Sequence, residues 1–229
     1  KDAISFMAIG LVLWASLNFK RRKGLFFFAI ISMLFVRPHM AGIMIIAISI
    51  SLAFDKNVNL NAKIILIILS LSASSIMVPF AFSYAGMDDN VTSDSLGNYI
   101  TSRQNSNLEG GSSVDIESMP LPIQMFTYLF RPLPYEAKSI TTFFASLDNM
   151  LLFLIILLGI KKIRKYKPDG SNRVFLWTYS FGSLLILSLT TANLGIAMRQ
   201  KWMFVPIIAY LFISALAQRK NFHKVTYNK

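Results

Sequence analysis

The sequence predicts an all-α, polytopic helical membrane protein with about seven apolar crossings and a large extracytoplasmic loop. Of the 229 residues, 54% are hydrophobic, and the mean hydropathy is +0.53. Several apolar runs approach the length of a membrane-spanning helix. The basic residues cluster beside these runs, as the positive-inside rule produces. The formal net charge of +12 therefore indicates membrane orientation rather than nucleic-acid binding.

Composition also limits the chemistry that the chain can perform. The absence of cysteine excludes disulfides and thiolate chemistry. Only two histidines occur, His39 and His223, which argues against a His-rich metal site. The sequence contains no nucleotide-binding glycine loop, nucleophile elbow or zinc spacing. We therefore predict neither a cofactor nor a bound metal.

The first apolar run, residues 3–19, predicts a spanning helix that ends at the basic cluster 20–23. The run lacks a basic leading region and a cleavage site, so it does not indicate a signal peptide. Because the chain opens on Lys1 and enters this run at once, we expect it to be the C-terminal part of a longer membrane protein.

The second apolar run, residues 25–54, is interrupted in its middle by Arg37-Pro38-His39. Pro38 lacks a backbone donor and disfavours helix at Arg37. The run is therefore either one kinked helix or two shorter ones. Both parts are shorter than the ~20 residues of a full crossing, which favours a hairpin with a re-entrant tip below the outer surface.

Charge parity supports the hairpin. A span at 64–82, a polar loop at 83–147 and a span at 149–160 lead to a second basic cluster, 161–167. Both basic clusters lie in the cytoplasm only if an even number of crossings separates them, and a two-helix hairpin satisfies this condition.

The remaining spans, 174–192 and 202–217, precede a basic tail that we also place in the cytoplasm. We therefore divide the chain into transmembrane helices with the hairpin (1–82), an acidic outer loop (83–147), and C-terminal helices with the tail (148–229). Within the loop, residues 123–130 combine apolar and aromatic side chains beside prolines, which predicts a segment at the membrane interface.

Arg37 and His39 are the first candidate site residues. An ionisable group at membrane depth indicates function, and Arg37 lies too far from the ends of its run to reach the surface easily. His39 is a candidate general base or phosphate hydrogen-bond donor. The alternative is a polar residue that caps a re-entrant turn.

Arg131 and Glu136 flank a proline-rich turn. One interpretation is an ion pair that fixes the loop. The other makes Arg131 a phosphate ligand and Glu136 a base toward a sugar hydroxyl. Arg103, in the polar part of the loop, is either a solvated charge or a further substrate ligand.

Arg199 and Lys201 lie between two apolar spans, on the side that parity places outside the cytoplasm. Paired cations there need anionic partners, since the positive-inside rule does not explain them. Acidic loop residues or a lipid pyrophosphate would provide such partners, and we favour the pyrophosphate.

Three segments carry a resemblance to a known family. They are Phe-Val-Arg-Pro-His-Met-Ala-Gly at 35–42, Leu-Phe-Arg-Pro-Leu-Pro-Tyr-Glu-Ala at 129–137, and the stretch 193–202 with Arg199-Gln200-Lys201. Together they resemble bacterial O-antigen and capsule polymerases of the Wzy type. The resemblance implies a multi-pass protein of the bacterial inner membrane with a large periplasmic loop and arginine-dependent handling of undecaprenyl-pyrophosphate glycans.

The function expected from this resemblance is a membrane glycosyltransferase that polymerises lipid-linked repeat units. Arg37, Arg199 and Arg131 would stabilise the pyrophosphate leaving group, and His39 or Glu136 would activate the acceptor hydroxyl. The expected partners are the lipid-linked glycan, the bilayer and other polysaccharide-assembly proteins, without nucleic acid. The alternatives are a non-catalytic translocator of lipid-linked sugars, or a ligase or other modifying enzyme of the same pathway.

Overall fold

In the computed structural model the regular secondary structure of the described residues is helical, apart from an isolated β-bridge between Ser113 and Asn193. The structure describes residues 1–55, 58–61, 63–65, 67–68, 72, 75, 97–98, 100–102, 104–105, 112–116, 118–163 and 172–217. The predicted span 64–82, much of the loop, residues 164–167 of the second basic cluster and the tail 218–229 lie largely or wholly outside these residues.

The first three helices form an antiparallel arrangement: α1 (Asp2–Ser16), α2 (Lys23–Val36) and α3 (Pro38–Phe54). Arg37 separates α2 from α3 with a non-helical backbone, and Pro38 occupies the first turn of α3, where its missing N–H is not needed. Asn172 donates its backbone N–H to Ser16 at 3.0 Å, and its side chain accepts from Ser51. Because Ser16 and Ser51 meet at Asn172, α3 returns to the end where α2 begins.

The next elements are α4 (Leu121–Phe130), a short 3-10 helix (Pro134–Glu136) and α5 (Ile140–Ile163). The C-terminal half of α4 is buried against the bundle, whereas its first residues are exposed. This segment was predicted to lie at the membrane interface. In the structure its Tyr128, Leu129 and Phe130 are buried among the other helices, and the position of the segment relative to the membrane stays a prediction.

The C-terminal part contains α6 (Arg173–Thr190), α7 (Leu194–Gln200), a 3-10 turn (Lys201–Met203) and α8 (Val205–Ala217). Asn172 and Asn193 cap α6 and α7 with their side-chain oxygens. α3 packs along α6, and α8 packs along α5. The segment Leu194–Met203 and α8 meet at a 60° bend.

Among the described residues, two helices are long and apolar enough to cross a membrane, α5 and α6. The bent pair of Leu194–Met203 and α8 would make a third if it forms one broken span. The helices α1 to α4 are apolar but shorter than the ~20 residues of a full crossing. The described residues therefore establish an all-helical protein with two or three membrane-capable helices, and the prediction of seven crossings and a large loop extends beyond them.

Two boundaries differ from the sequence expectation. α5 begins at Ile140, inside the predicted loop, because the Ser139 hydroxyl caps it by accepting from the Thr142 N–H at 3.2 Å. The final helix begins at Val205 rather than at 202, because the preceding residues form the 3-10 turn. Hydropathy alone did not detect either boundary, since capping and turn formation depend on local hydrogen bonds.

The two ends of the bundle have different characters. At the basic end, the α1–α2 connection, Asn172 and the last turn of α5 meet, and Arg173 donates to the Ile163 carbonyl at 2.5 Å. At the opposite end, which we call the tip end, lie Asp2, Arg37 and the α6–α7 connection. The described loop residues 112–114 return to this connection through backbone hydrogen bonds of 2.8 and 2.9 Å to residues 192 and 194.

Candidate functional site

The C-terminal end of α4 brings three of the sequence-predicted segments together at the tip end. Tyr128 lies near Arg37 of the α2–α3 junction. The carbonyl of Leu129 accepts from Lys201 of the α7–α8 turn at 3.4 Å. Arg131 follows directly after α4. The buried end of α4 therefore contacts several elements that are distant from one another in the sequence.

Arg37 is only 18% exposed and pairs with Asp2 through a 2.5 Å contact between Nη2 and Oδ1. Its Nε is buried, and so is the hydroxyl of Tyr128. Neither atom has a hydrogen-bond partner among the described residues. Burial raises the pKa of the Tyr128 phenol well above its usual value, and the charge of Arg37 opposes this rise. His39, at the start of α3, is exposed.

Arg131 and Glu136 form a two-pronged ion pair across the proline-rich turn. Arg131 Nε donates to both carboxylate oxygens at 3.0 and 3.1 Å, and Nη2 lies 2.7 Å from Oε1. The backbone N–H of Leu133 also donates to Glu136 at 2.9 Å. Partial burial acts to raise the pKa of Glu136, but these hydrogen bonds and the Arg131 charge outweigh it, so the pKa lies below its usual value.

Lys201 is a buried cation, 5% exposed, at the turn between α7 and α8. Its Nζ donates to the side-chain oxygen of Asn149 on α5, in addition to the Leu129 carbonyl. The Asn149 amide in turn donates to the Pro132 carbonyl at 3.1 Å. Asn149 thereby links Lys201 to the turn that carries Arg131, and the side chain has both of its polar groups satisfied in a buried position.

The other predicted ligands are placed differently. Arg199 is exposed, two residues from the buried Lys201, and no acidic side chain of the described chain lies within 4 Å of it. Arg103 lies outside the described residues. In that same described part, no group of three or more His, Cys, Asp or Glu side chains is arranged to hold a metal ion.

A cavity of about 80 Å³ opens beside Lys201, between α5 and the α7–α8 turn. Its polar lining consists of Lys201, Asn149 and the exposed Asp148, and Trp202 adds an exposed aromatic ring. We call it the α5–α8 cavity.

Sequence reasoning missed four residues of this site. Asp2, Tyr128, Asp148 and Asn149 were not singled out, although each contacts or electrostatically affects a predicted cation. A usable signal existed for one pair, because adjacent Asp148 and Asn149 stand directly before a long apolar run, where polar side chains are costly unless they have partners. The partners of Asp2 and Tyr128 depend on helix packing.

The lowered pKa of Glu136 predicts a pH-dependent contribution to stability. A carboxyl with a depressed folded-state pKa stabilises the fold above its unfolded value, here 4.5, and loses that effect as the pH falls through the lower folded value. At pH 7 we expect Glu136→Gln to melt roughly 1–3 °C below wild type. In detergent-solubilised full-length protein, this difference should shrink below pH 4.5. A difference that stays constant between pH 7 and pH 3 would contradict the role of the ionised pair.

The fold and the site define a class: an all-helical protein with membrane-capable helices that gathers cationic side chains at one end of its bundle. The model of the EpsG family matches residues 5–228, nearly the whole chain, and the protein belongs to this family. EpsG proteins are a bacterial, Wzy-like family of polysaccharide polymerases in exopolysaccharide biosynthesis, which confirms the predicted resemblance. No curated protein and no solved structure matches the chain.

Proposed function

We propose that the protein is a membrane glycosyltransferase that polymerises undecaprenyl-pyrophosphate-linked oligosaccharide repeat units at the outer face of the bacterial inner membrane. The observation that carries this proposal is the placement of Arg37 and Arg131 around the end of α4, in a chain of a polysaccharide polymerase family. A site for an anionic lipid-linked substrate needs fixed cations at one end of the bundle, and this arrangement supplies them.

The reaction would transfer the growing chain from its lipid pyrophosphate to a hydroxyl of an incoming repeat unit. The hydroxyl oxygen bonds to the anomeric carbon, and the bond from that carbon to the pyrophosphate oxygen breaks. The pyrophosphate leaves with the electron pair, and a base takes the hydroxyl proton. Negative charge grows on the leaving oxygen, so preorganised cations in a site of low water content lower the barrier.

We assign the pyrophosphate contact to Arg37 first. Asp2 holds the guanidinium of Arg37 at the tip end. Because the Asp2 side chain is 49% exposed, a pyrophosphate, which carries more negative charge, would displace it from Arg37. A guanidinium has five donors in a planar fork that matches the oxygens of a phosphate, and Nη2 of Arg37 already holds a carboxylate oxygen of Asp2 in this way. Arg199, which is exposed in the last turn of α7, would add a second cation.

The base would be His39, because it is exposed two residues from Arg37 and a neutral imidazole accepts a proton near physiological pH. Glu136 is the other candidate base. Its carboxylate already accepts from Arg131 and from the Leu133 N–H, and its lowered pKa makes it a weaker proton acceptor. We therefore assign Glu136 to holding Arg131 in place as a further anion ligand.

Arg37→Ala in the full-length gene should shorten the surface polysaccharide drastically. We expect long chains to fall at least about tenfold, because a cation that stabilises the transition state is lost. The measurement is the chain-length profile of cells that lack the gene and carry the variant, with membrane levels of the protein checked by immunoblot. Arg22→Ala is the matched control, since Arg22 stacks on Trp14 near the α1–α2 connection at the basic end.

The same profile separates the alternative functions. Exported single repeat units without long chains support polymerisation. Lipid-linked units that accumulate on the cytoplasmic side would indicate a translocator instead. Long chains that accumulate on the lipid carrier without transfer to their final acceptor would indicate a ligase. A wild-type profile with Arg37→Ala at normal protein levels would overturn the assignment of Arg37.

A further inference from the structure

The α5–α8 cavity has a lining that differs from that of the Arg37 region. Two of its polar members, Lys201 and Asn149, are buried, and they are fixed to each other and to the backbone of the 129–132 segment. Asp148 and Trp202 are exposed and border the same cavity, and Leu152 and Val205 provide apolar walls. The combination of a few oriented polar groups with an apolar wall is typical of a small-molecule site.

The cavity is lined by one positive and one negative side chain, Lys201 and Asp148. Asp148 lies close enough to Lys201 to act on it electrostatically, so a negative group entering the cavity would meet a carboxylate as well as the ammonium. Phosphate is therefore a poor fit. A neutral ligand that both donates and accepts hydrogen bonds suits the pair, because Lys201 offers only donors and an ionised carboxylate offers only acceptors.

The exposed side chain of Trp202 further restricts the kind of ligand that fits the cavity. Trp202 is 45% exposed and contacts Phe6 of α1 edge-on, with ring centroids 6.2 Å apart. An exposed indole beside hydrogen-bonding groups suits a ligand that is apolar on one face and polar at its rim. A sugar ring has this form, since its axial C–H groups form an apolar face and its hydroxyls surround it.

The size of the cavity is compatible with partial enclosure of such a ring. Its volume of about 80 Å³ exceeds the roughly 30 Å³ that one water molecule occupies in the liquid. The cavity is open to the surface, so part of the ring would lie outside, against the exposed Asp148 and Trp202.

We propose that the α5–α8 cavity is a sugar-binding subsite that takes a neutral ring of the glycan, with hydroxyls on Lys201 and Asp148 and an apolar ring face on Trp202. This proposal rests on the proposed function and deepens it, because the sugar is taken to be a ring of the glycan that the protein polymerises. It reassigns Lys201 from the pyrophosphate to the glycan, and it makes Asn149 a positioning residue that holds the Lys201 amino group toward the cavity.

The test is a fluorescence titration of purified full-length protein in detergent, which needs no polymerisation. Glucose, galactose and N-acetylglucosamine are the probes, with inorganic pyrophosphate as the anionic comparison. We expect at least one sugar to give a saturable change that is lost in Trp202→Phe, and pyrophosphate to give none. Asp148→Asn should raise the apparent Kd about tenfold, because the sugar hydroxyl then donates to a neutral amide oxygen instead of a charged carboxylate.

The matched control is Leu151→Ala, which alters an exposed residue of α5 that does not line the cavity and should leave the titration unchanged. Because Asp148, Leu151 and Trp202 are all exposed, these variants should retain the fold. No saturable change with any of the three sugars up to about 100 mM would overturn the proposal, as would saturation by pyrophosphate alone.

The two proposals fail separately. Sugar binding at Trp202 together with a wild-type chain-length profile for Arg37→Ala would retain the subsite and remove the role of Arg37 in polymerisation. Loss of long chains in Arg37→Ala without sugar binding would retain the polymerase and remove the subsite.

Discussion

Lys201→Met is expected to lower thermal stability and to abolish long-chain polysaccharide together. The substitution preserves much of the side-chain volume but removes the donor that the Asn149 oxygen and the Leu129 carbonyl share. Each buried acceptor that loses its partner costs about 1–3 kcal/mol. For a protein of this size, that corresponds to a fall in Tm of roughly 2–12 °C for each of the two acceptors in detergent.

A double-mutant cycle with Asn149→Leu separates the buried hydrogen bond from the chemistry. We expect a coupling energy of about 0.5–3 kcal/mol between the two substitutions, because they remove the two ends of one interaction. The double variant should therefore lose less stability than the sum of the single variants, while long-chain polysaccharide stays absent.

Lys161→Met provides the control, since Lys161 is exposed in the last turn of α5 at the basic end. It should leave both the Tm and the chain length near wild type. If Lys201→Met melts at the wild-type temperature and still supports long chains, the buried network has neither of the roles assigned to it.

Gly159→Leu is expected to disrupt the packing of α5 against α8. A Cβ atom at position 159 would lie 2.7 Å from Cδ1 and 3.3 Å from Cβ of Phe212. Rotation of the Phe212 ring relieves the first contact but not the second, because the Phe212 Cβ is attached directly to the backbone. The helices must therefore separate, and overpacking of this kind costs about 1–3 kcal/mol or more.

Gly10→Leu is the matched control for this prediction. Nothing lies within 4 Å of a Cβ built at Gly10, which is exposed on α1. Since Leu favours a helix over Gly by up to about 1 kcal/mol, Gly10→Leu should be neutral or slightly stabilising. Adding Phe212→Ala to Gly159→Leu should recover part of the lost Tm. An unchanged Tm in Gly159→Leu would mean that α5 and α8 do not approach this closely.

Some features of the fold follow from local sequence. Pro38 cannot continue the hydrogen bonding of α2, and a break at Arg37 is the direct consequence. The apolar runs required helices, and the described residues are helical. Helix ends were less predictable, because the start of α5 depends on capping by Ser139 and the start of α8 on the bend after Lys201.

In the candidate site, the sequence predicted the pairing of two side chains but did not distinguish the roles of two others. Arg131 and Glu136 are five residues apart on a rigid turn, and their pairing was one of the interpretations available from sequence. Arg199 and Lys201 appeared equivalent as a pair of cations. They differ because residues two apart on a helical turn face different directions, so Lys201 enters the bundle while Arg199 remains exposed.

The sequence by itself determined the helical class, the apolar segments, the interruption at Arg37 and membership of a polysaccharide polymerase family, because composition, proline chemistry and short motifs are local properties. Only the tertiary structure decided which residues meet. The contacts of Arg37 with Asp2 and of Lys201 with Asn149 join positions 35 and 52 residues apart. Such pairs depend on the register with which helices pack, and no local property of either segment specifies that register.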